Sequence, residues 1–423
     1  MSRALRVGYL ARYVPSPSET FVWDEALALR DLGAEIVPIG LDRMPHGVSH
    51  QRFAELHRRM TWVPRSSNPA TTYASFVMDS HSVMPMLRAH WISVARPRDM
   101  RRATWLARRL RGSAIDVLRV HHAAEIARYG AVAALLAGVP MSLAVHGRDL
   151  FVPTSDFHWL LNQASHISTI THFHRERLLR TGLPSEQVTL LPCAVEVPDA
   201  VADPPEDGPL RVLSVGRLVE KKGHDLLIDA CARLADRGKE VQLVIVGEGQ
   251  EGLQLRQRAA ARVRSGTGRL SIEFWGAAPV ETVHDLMLRG RFHCFALACR
   301  VADDGDRDGL PVALLEAQAR GLATVTSALP GFEAAFQDDR DGLLLPLGGG
   351  RRGGDARAPD TKSLAAAIAC LQDVPVLRER LARGAREQAE QRMTPRQVGE
   401  RLLASLARLV VGRVYDARPS EDR

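Results

Sequence analysis

Lysine is nearly absent from this chain of 423 residues: four lysines stand against 52 arginines. Two of the four, Lys221 and Lys222, are adjacent. Where arginine is the default cation, a lysine pair marks a place suited to a compact ammonium on a slim stem, the point-charge role lysine plays at phosphates. Cysteine is sparse too. Cys193, Cys231, Cys294, Cys299 and Cys370 are odd in number and form no C-x-x-C pair, which argues against a disulfide framework and fits a reducing cytosol. No cysteine or acid lies at metal spacing from His121-His122 or from His172 and His174, so no metal site is expected. Long apolar runs are also missing. The longest, residues 131–145, is broken by Gly138 and Pro140 and reads as a buried helix followed by a strand, not a membrane span. The start, MSRALRVGYLARYV, lacks a long apolar core and a cleavage site, so no secretory leader is expected and the protein is placed in the cytoplasm.

Hydrophobic content of 45% and charged content of 25% are ordinary for a globular protein, and the length implies two or three domains. Residues 1–196 alternate strand-like and helix-like segments: LRVGYL, a helix from about Glu19 to Leu32, AEIVPIGL, a helix around Ala123 to Ala137, and MSLAVHG. Residues 197–209, VPDAVADPPEDGP, are proline-rich, acidic and aperiodic, which marks a linker. A second series begins at Leu210: RVLSVG, a helix from about His224 to Asp236, VQLVIVG, a helix to Arg264, LSIEFWG, a helix over 280–289, RFHCFAL, a helix holding Glu316, ATVTS and GLLLP. Such apolar strands separated by helices imply parallel sheets covered on both faces. The expected fold is α/β, two doubly wound domains (1–196 and 210–393) facing a cleft. Residues 394–423 are expected to form a helix packing back across the domains, with a disordered tail. GGGRRGGDARAP, residues 348–359, reads as a mobile surface loop. Ligands of such sheets bind at the carboxyl ends of strands.

The most informative stretch is DRDGLPVALLEAQARGLATV, residues 306–325. Asp308 and Glu316 flank a helix start in which Gly309 permits close backbone approach, Pro311 suits a first helical position and Val312–Leu315 bury the helix behind. A helix mouth carries roughly half a positive charge and binds phosphate without a metal. At about 1.5 Å per helical residue the two acids are on the order of 12 Å apart. The competing reading is a capped amphipathic helix with Asp308 as N-cap. In SVGRLVEKKG, residues 214–223, Gly216 frees the turn while Arg217 and Lys222 bring two cations to a strand end, the composition of a diphosphate clamp. VGEGQEG matches G-x-G-x-x-G through Gly247, Gly249 and Gly252, but it follows the second strand of its domain, so these glycines are read as close approach to a ligand other than a nicotinamide cofactor. Asp306-Arg307-Asp308 has D-x-D form, and its place before an anion-binding helix argues against a metal there. In the first domain AVHGRDLF ends a strand with His146, Gly147 and Asp149, and SPSETF supplies Glu19 and Thr20 at the first turn. His146 is a candidate donor to a sugar hydroxyl or a strand cap. Glu19 and Thr20 either face the cleft or cap their helix.

Together these residues resemble glycosyltransferase family four, the retaining group with the GT-B fold of two Rossmann-like domains. The resemblance is specific over about residues 211–346 and nearest to the exopolysaccharide and colanic-acid branch, through SETFVWDEALALRDLGAEI and the H-G-x-D strand. It implies that Arg217 and Lys222 hold the donor phosphates, that Glu316 of the Glu-x7-Glu motif binds ribose and Asp308 faces the sugar, and that His146 is the motif histidine. It further implies donor contacts from Gly216, Gly247, Gly249, the start Gly309-Leu310-Pro311-Val312, and Gly331, with Glu19, Thr20 and Asp149 on the acceptor side. Two departures are visible: Asp308 is one methylene shorter than the usual Glu, and the T-x-x-x-G-x-x-E loop reads Thr326 to Glu333 with its glycine displaced by one, to Gly331.

The expectation is a metal-independent, cofactor-free transferase that moves a sugar from a nucleoside diphosphate sugar to an acceptor hydroxyl. The rivals are a sugar-nucleotide epimerase or nicotinamide oxidoreductase on the same architecture, and a catalytically weakened sugar-nucleotide-binding partner. Net charge is +7. RPRDMRRATWLARRLR, residues 96–111, concentrates seven arginines around Trp105, Leu106 and Leu110, a pattern that lies on anionic membrane surfaces or forms a solvated helix with a small core face. No stacking platform accompanies the charge, so nucleic acid is not an expected partner.

Overall fold

A computed structural model of the chain describes residues 3–16, 18–44, 48, 50–64, 97–348 and 357–416, with the backbone alone at 97–99 and 412–416. Of the loop expected at 348–359, residues 349–356 lie outside the described residues, as do Arg96 and the tail from residue 417, while its two ends are held together by antiparallel pairing of Leu347–Gly348 with Ala358–Pro359. Two sheets organise the rest. The first contains β1 (Arg6–Val14), β2 (Glu35–Arg43), β3 (Thr61–Trp62), β4 (Val117–His121), β5 (Met141–Val145), β6 (His166–Thr169) and β7 (Val188–Leu190). The second contains β8 (Leu210–Val215), β9 (Val241–Val246), β10 (Leu270–Gly276), β11 (Cys294–Leu297), β12 (Thr324–Ser327) and β13 (Leu343–Leu345). The strands run parallel in the orders 3-2-1-4-5-6-7 and 10-9-8-11-12-13. Both are Rossmann-like orders, which reverse beside the first strand of each domain and open a crevice there.

The alternation along β1 builds two cores at once. Val7, Tyr9 and Ala11 pack on one face of the first sheet and Leu10 on the other. Central strands are buried throughout, as Met141–Val145 are, whereas the edge strand β10 alternates buried and exposed residues and leaves Trp275 half-exposed. Strand β11 starts three residues later than the run RFHCFAL suggested. The cause is Arg291, whose φ of 52° lies in the left-handed region and turns the chain before the strand begins. Strand β4 carries Arg119 and His121 among its apolar residues, which hides it from a hydropathy reading.

The last helix, Pro395–Asp416, crosses back to the first domain, where Leu402 and Leu406 join the core formed by Val7, Tyr9 and Trp23. Gly399 allows that crossing, since a Cβ there would lie 3.0 Å from the Cβ of Ala28 on the helix Thr20–Asp31. The two passes of the chain between domains are tied where Val195 N–H donates to Met393 O at 2.8 Å. The arginine-rich segment forms the helix Pro97–Gly112, and its apolar stripe of Ala103, Leu106, Ala107 and Leu110 is buried in the first domain's core. No helix of the described residues is long and apolar enough to cross a membrane.

Candidate active site

The crevice of the second domain opens where β8 and β11 end. Gly223 has a φ of 64°, and a Cβ on it would fall 1.9 Å from Ala298 O, so only glycine lets the turn Glu220–Lys222 dock against the exit of β11. Docking brings both lysines to the 306–308 loop. Lys222 Nζ lies 2.8 Å from Asp308 Oδ2, and Lys221 Nζ lies 3.1 Å from Asp306 Oδ2 and 3.5 Å from Asp308 Oδ1. All four side chains are nearly buried. Burial alone would raise Asp308, but Lys222 and then Lys221 outweigh it and hold the carboxyl down at about 2. The thiol of Cys299 also donates to Asp308 Oδ2, at 3.6 Å. Lysine and acid, expected to meet different parts of a ligand, are thus one ion pair here. The D-x-D acids are each paired with a lysine.

The helix after this loop runs Val312–Ala319, one residue later than expected. Pro311 is its N-cap, because a ψ of 121° keeps the residue extended rather than helical. No side chain caps the start, and Asp308 is held by the lysines instead, which removes the alternative of Asp308 as N-cap. Glu316, buried on this helix, has Oε1 3.2 Å from His284 Nε2. Burial raises Glu316, and the His284 contact and charge outweigh it, leaving the acid below its ordinary value. His284 comes from the neighbouring helix Val280–Arg289, and no local signal marked it beforehand.

Gly216 lies over the stem of Lys222, whose Cδ would be 3.4 Å from an added Cβ. Arg217 is exposed: its carbonyl accepts the Val219 N–H at 2.9 Å, while its side chain makes no hydrogen bond or ion pair among the described residues. The glycines at 247 and 249 have a structural explanation that the sequence did not provide. Added Cβ atoms would lie 2.0 Å from Gly216 O and 2.3 Å from Leu218 O, so the close approach they permit is to the adjacent 216–218 turn.

On the first domain's wall, the Glu19 side chain does not cap its helix. It lies with Oε1 3.6 Å from His122 Nε2. Thr20 is buried as the first helical residue. His146 starts the helix Gly147–Phe151, and its N–H donates to Asp149 Oδ2 at 2.8 Å. Behind it runs a buried polar chain. His146 Nε2 lies 3.3 Å from His121 Nδ1, His121 Nε2 lies 3.2 Å from Glu25 Oε1, and Glu25 is gripped by Arg119 through two bonds of 2.8 and 2.9 Å. The Tyr9 hydroxyl also donates to Glu25. Against the cost of burial, Arg119 and His121 hold Glu25 well below the carboxylate range. Burial, then the charges of His122, His121 and Arg119, keep His146 well below its ordinary value, hence neutral. This chain was missed because its members come from β1, β4 and the helix Thr20–Asp31, far apart in sequence.

The two walls touch at their motif turns. A Cβ on Gly147 would sit 2.8 Å from Gly309 N, and one on Gly309 would sit 2.2 Å from His174 Cε1. Gly331, with φ 101°, abuts Thr171 in the same way, its Cβ 3.0 Å from Thr171 Oγ1. Arg148 Nη1 reaches across to Asp306 Oδ2 at 2.9 Å. Among the described residues, no three histidine, cysteine or acidic side chains are grouped as a metal ion would need.

Two Rossmann-like domains meeting at the carboxyl edges of their sheets make the GT-B fold, and sequence comparison identifies the enzyme built on it as a glycosyltransferase. Residues 200–388 match the model of the glycosyl transferases group 1, and residues 18–197 match that of glycosyltransferase family 4. The chain belongs to glycosyltransferase family 4, in its exopolysaccharide branch. It is 26% identical over 366 residues to the putative colanic acid biosynthesis glycosyltransferase WcaL of Escherichia coli, covering 81% of this chain and 87% of that one. It is 31% identical over 196 residues to the amylovoran biosynthesis glycosyltransferase AmsK of Erwinia amylovora, covering 46% of each. Among solved structures, Anabaena Alr3699/HepE in complex with UDP and glucose superposes with a TM-score of 0.70 at 15% identity, covering 96% of this chain and all of that one. The lipopolysaccharide outer core galactosyltransferase WaaB gives 0.64 at 14%, covering 96% and 99%.

Proposed function

We propose that this glycosyltransferase moves a sugar from a nucleoside diphosphate sugar to an acceptor hydroxyl, with retention of anomeric configuration and without a metal ion. The observation that carries the proposal is the Lys222–Asp308 pair, set beneath Gly216 and beside a helix start with no side-chain cap. A diphosphate entering there meets the N–H groups of Val312 and Ala313 at the helix start, Lys222, and Arg217, whose side chain has no hydrogen-bond or ion-pair partner among the described residues. These stabilise the charge that grows on the leaving diphosphate, usually the largest electrostatic contribution in such a step. Positive charge is supplied by the chain itself, and Asp306 and Asp308 are already engaged by lysines. Glu316 takes the ribose hydroxyls while His284 orients its carboxylate. As in the retaining family it resembles, the acceptor oxygen attacks the anomeric carbon from the face the diphosphate leaves, and a donor phosphate oxygen takes the acceptor proton.

A related protein, HepE, has been solved with UDP-glucose, which supports a nucleotide sugar as donor here. The acceptor is a glycan, a lipid-linked sugar or a small molecule met at the cytoplasmic side of a membrane. The Pro97–Gly112 helix meets anionic lipid through its arginines alone, since its apolar stripe is spent on the core. Thermal melting with UDP, GDP, ADP and TDP tests the donor site, because a ligand of the native state raises stability by mass action. Proton NMR of the product's anomeric signal, with and without EDTA, tests retention and metal independence. An inverted product or abolition of transfer by EDTA overturns the corresponding claim.

A further inference from the structure

His146 opens the motif turn of the first domain, and its ring ends a line of buried groups whose protons can be placed from the far end inward. Glu25, at that end, is held as a carboxylate by two bonds from Arg119 and one from the Tyr9 hydroxyl. A carboxylate only accepts. His121, whose Nε2 lies 3.2 Å from Glu25 Oε1, therefore carries a proton on Nε2. Burial outweighs the charge of Glu25 and keeps His121 below its ordinary value, so the ring is neutral and its Nδ1 holds a lone pair. That lone pair lies 3.3 Å from His146 Nε2. The bond that one ring nitrogen makes sets the tautomer of the whole ring. His146 consequently donates from Nε2, and its Nδ1 is left as an acceptor.

We propose that His121 and Glu25 are positioning residues for sugar transfer: they lock His146 in one uncharged tautomer, and with it the turn that meets the donor wall. The single ring N–H of His146 is spent on His121, so this histidine gives no proton to a sugar hydroxyl. What it holds is the next two residues. A Cβ on Gly147 would sit 2.8 Å from Gly309 N, and Arg148 Nη1 lies 2.9 Å from Asp306 Oδ2. Gly309 and Asp306 stand on either side of Asp308, the partner of Lys222. A swing of the His146 ring is therefore felt at that contact within one residue, and a misplacement of about 1 Å can cost about a hundredfold in rate. Burial, then the charges of His122, His121 and Arg119 on and just after β4, push the ring down, and Glu25 from the helix Thr20–Asp31 opposes them. Asp149, on the helix that His146 starts, accepts the His146 backbone N–H, and Phe21 packs on the ring at 5.0 Å. Across the small cavity behind it stand Ser168, Thr169 and Cys193. Burial pushes the Cys193 thiol up to about 12, so these three carry no charge at neutral pH.

The inference rests on the transferase proposal above, and the melting shift produced by nucleotide reads the donor site of that proposal separately. Long-range 15N NMR of histidine-labelled protein, with the His146 signals identified by their loss in His146→Asn, should show native His146 protonated at Nε2 alone at about pH 7. Three variants separate the two faces of His121. His121→Asn keeps an acceptor near the place of Nδ1 and loses the donor to Glu25, His121→Gln does the reverse, and His121→Phe loses both. Transfer should follow the acceptor: His121→Asn stays within about threefold of native turnover, while His121→Gln and His121→Phe fall about tenfold or more and show His146 in mixed tautomers. Glu25→Gln, which can also donate to His121, should release the same lock. The nucleotide shift should be unchanged in each folded variant, and its loss overturns the proposal. So does native His146 protonated at Nδ1 or charged at about pH 7, native-like turnover in His121→Gln or His121→Phe, or equal loss in His121→Asn and His121→Gln. If His121→Phe does not fold, the comparison of His121→Asn with His121→Gln decides. Failure of every nucleotide to shift native melting strikes the donor site alone, because the tautomer is read from His146 itself.

Discussion

Lys222 and Asp308, 86 residues apart in sequence, form a nearly buried ion pair of 2.8 Å at the centre of the proposed donor site. A buried pair of this kind contributes little net stability, yet removing one partner strands the other charge. Lys222→Ala is therefore expected to destabilise the protein by about 3–5 kcal/mol as well as to lower turnover. Lys222→Met with Asp308→Asn should restore most of the stability and none of the turnover. Urea unfolding alongside a transfer assay separates the two effects; full stability in Lys222→Ala would contradict the pairing.

The same pair sets an acid limit. Asp308 titrates at about 2 in the folded protein against an ordinary value of 3.8. A depressed folded value contributes stability present above the unfolded pKa and lost as pH falls through the folded one. Stability attributable to Asp308 should decline between about pH 4 and pH 2, and Asp308→Asn should flatten that limb of a melting-against-pH profile.

Asp24 behaves in the opposite sense. Burial raises it to about 7, with Arg52 opposing and the charges of Glu316 and Glu196 adding to the rise. Its Oδ1 sits 2.8 Å from Arg52 Nη2. A raised folded value means a contribution fully present below the unfolded pKa and lost as pH rises through the folded one. Native protein should thus lose stability between about pH 4 and pH 7 at this group. Asp24→Asn should be more stable than native at pH 8 and differ little at pH 4, as read by melting temperature; equal stability at pH 8 would contradict the assignment.

The contact between the motif turns depends on having no Cβ. Gly309→Ala would place a methyl 2.2 Å from His174 Cε1, so it should hold the domains apart and suppress transfer. Small-angle scattering should report a larger radius of gyration, with circular dichroism unchanged. An unaltered radius with native turnover would remove the contact from the working cycle.

Membrane contact through the Pro97–Gly112 helix is expected to be electrostatic. Pelleting with phosphatidylserine vesicles should occur at low salt and vanish at about 1 M, where the screening length is about 3 Å. Arg108→Glu with Arg109→Glu should weaken it. Leu106→Asp should instead unfold the domain, because Leu106 is fully buried.

Much of the architecture was legible locally. The helices His224–Asp236 and Val280–Arg289 lie where periodicity placed them, since an apolar stripe and a turn signal act within a few residues. The motif carriers were all visible as residue types: Arg217, Lys222, Asp308, His146 and Glu19 in the loops that follow strands, and Glu316 on the helix Val312–Ala319. Their pairings were not. His284 beside Glu316 and Arg119 on Glu25 carried no signal a window could detect, and although the Lys221-Lys222 pair and His121 stood out, nothing in the sequence said that Lys221 meets Asp306 or that His121 stands behind His146.

What the sequence determined by itself was the alternation of apolar strands and amphipathic helices, and with it two doubly wound domains and the turns able to carry chemistry. Tertiary structure alone decided that Lys222 is paired with Asp308, that Gly247 and Gly249 serve a neighbouring turn, and that His121 is buried between Glu25 and His146. The reason is range. Hydrophobic periodicity is a property of adjacent residues, whereas charge pairing, close backbone approach and accessibility are set by elements that meet only once both sheets have folded and faced each other.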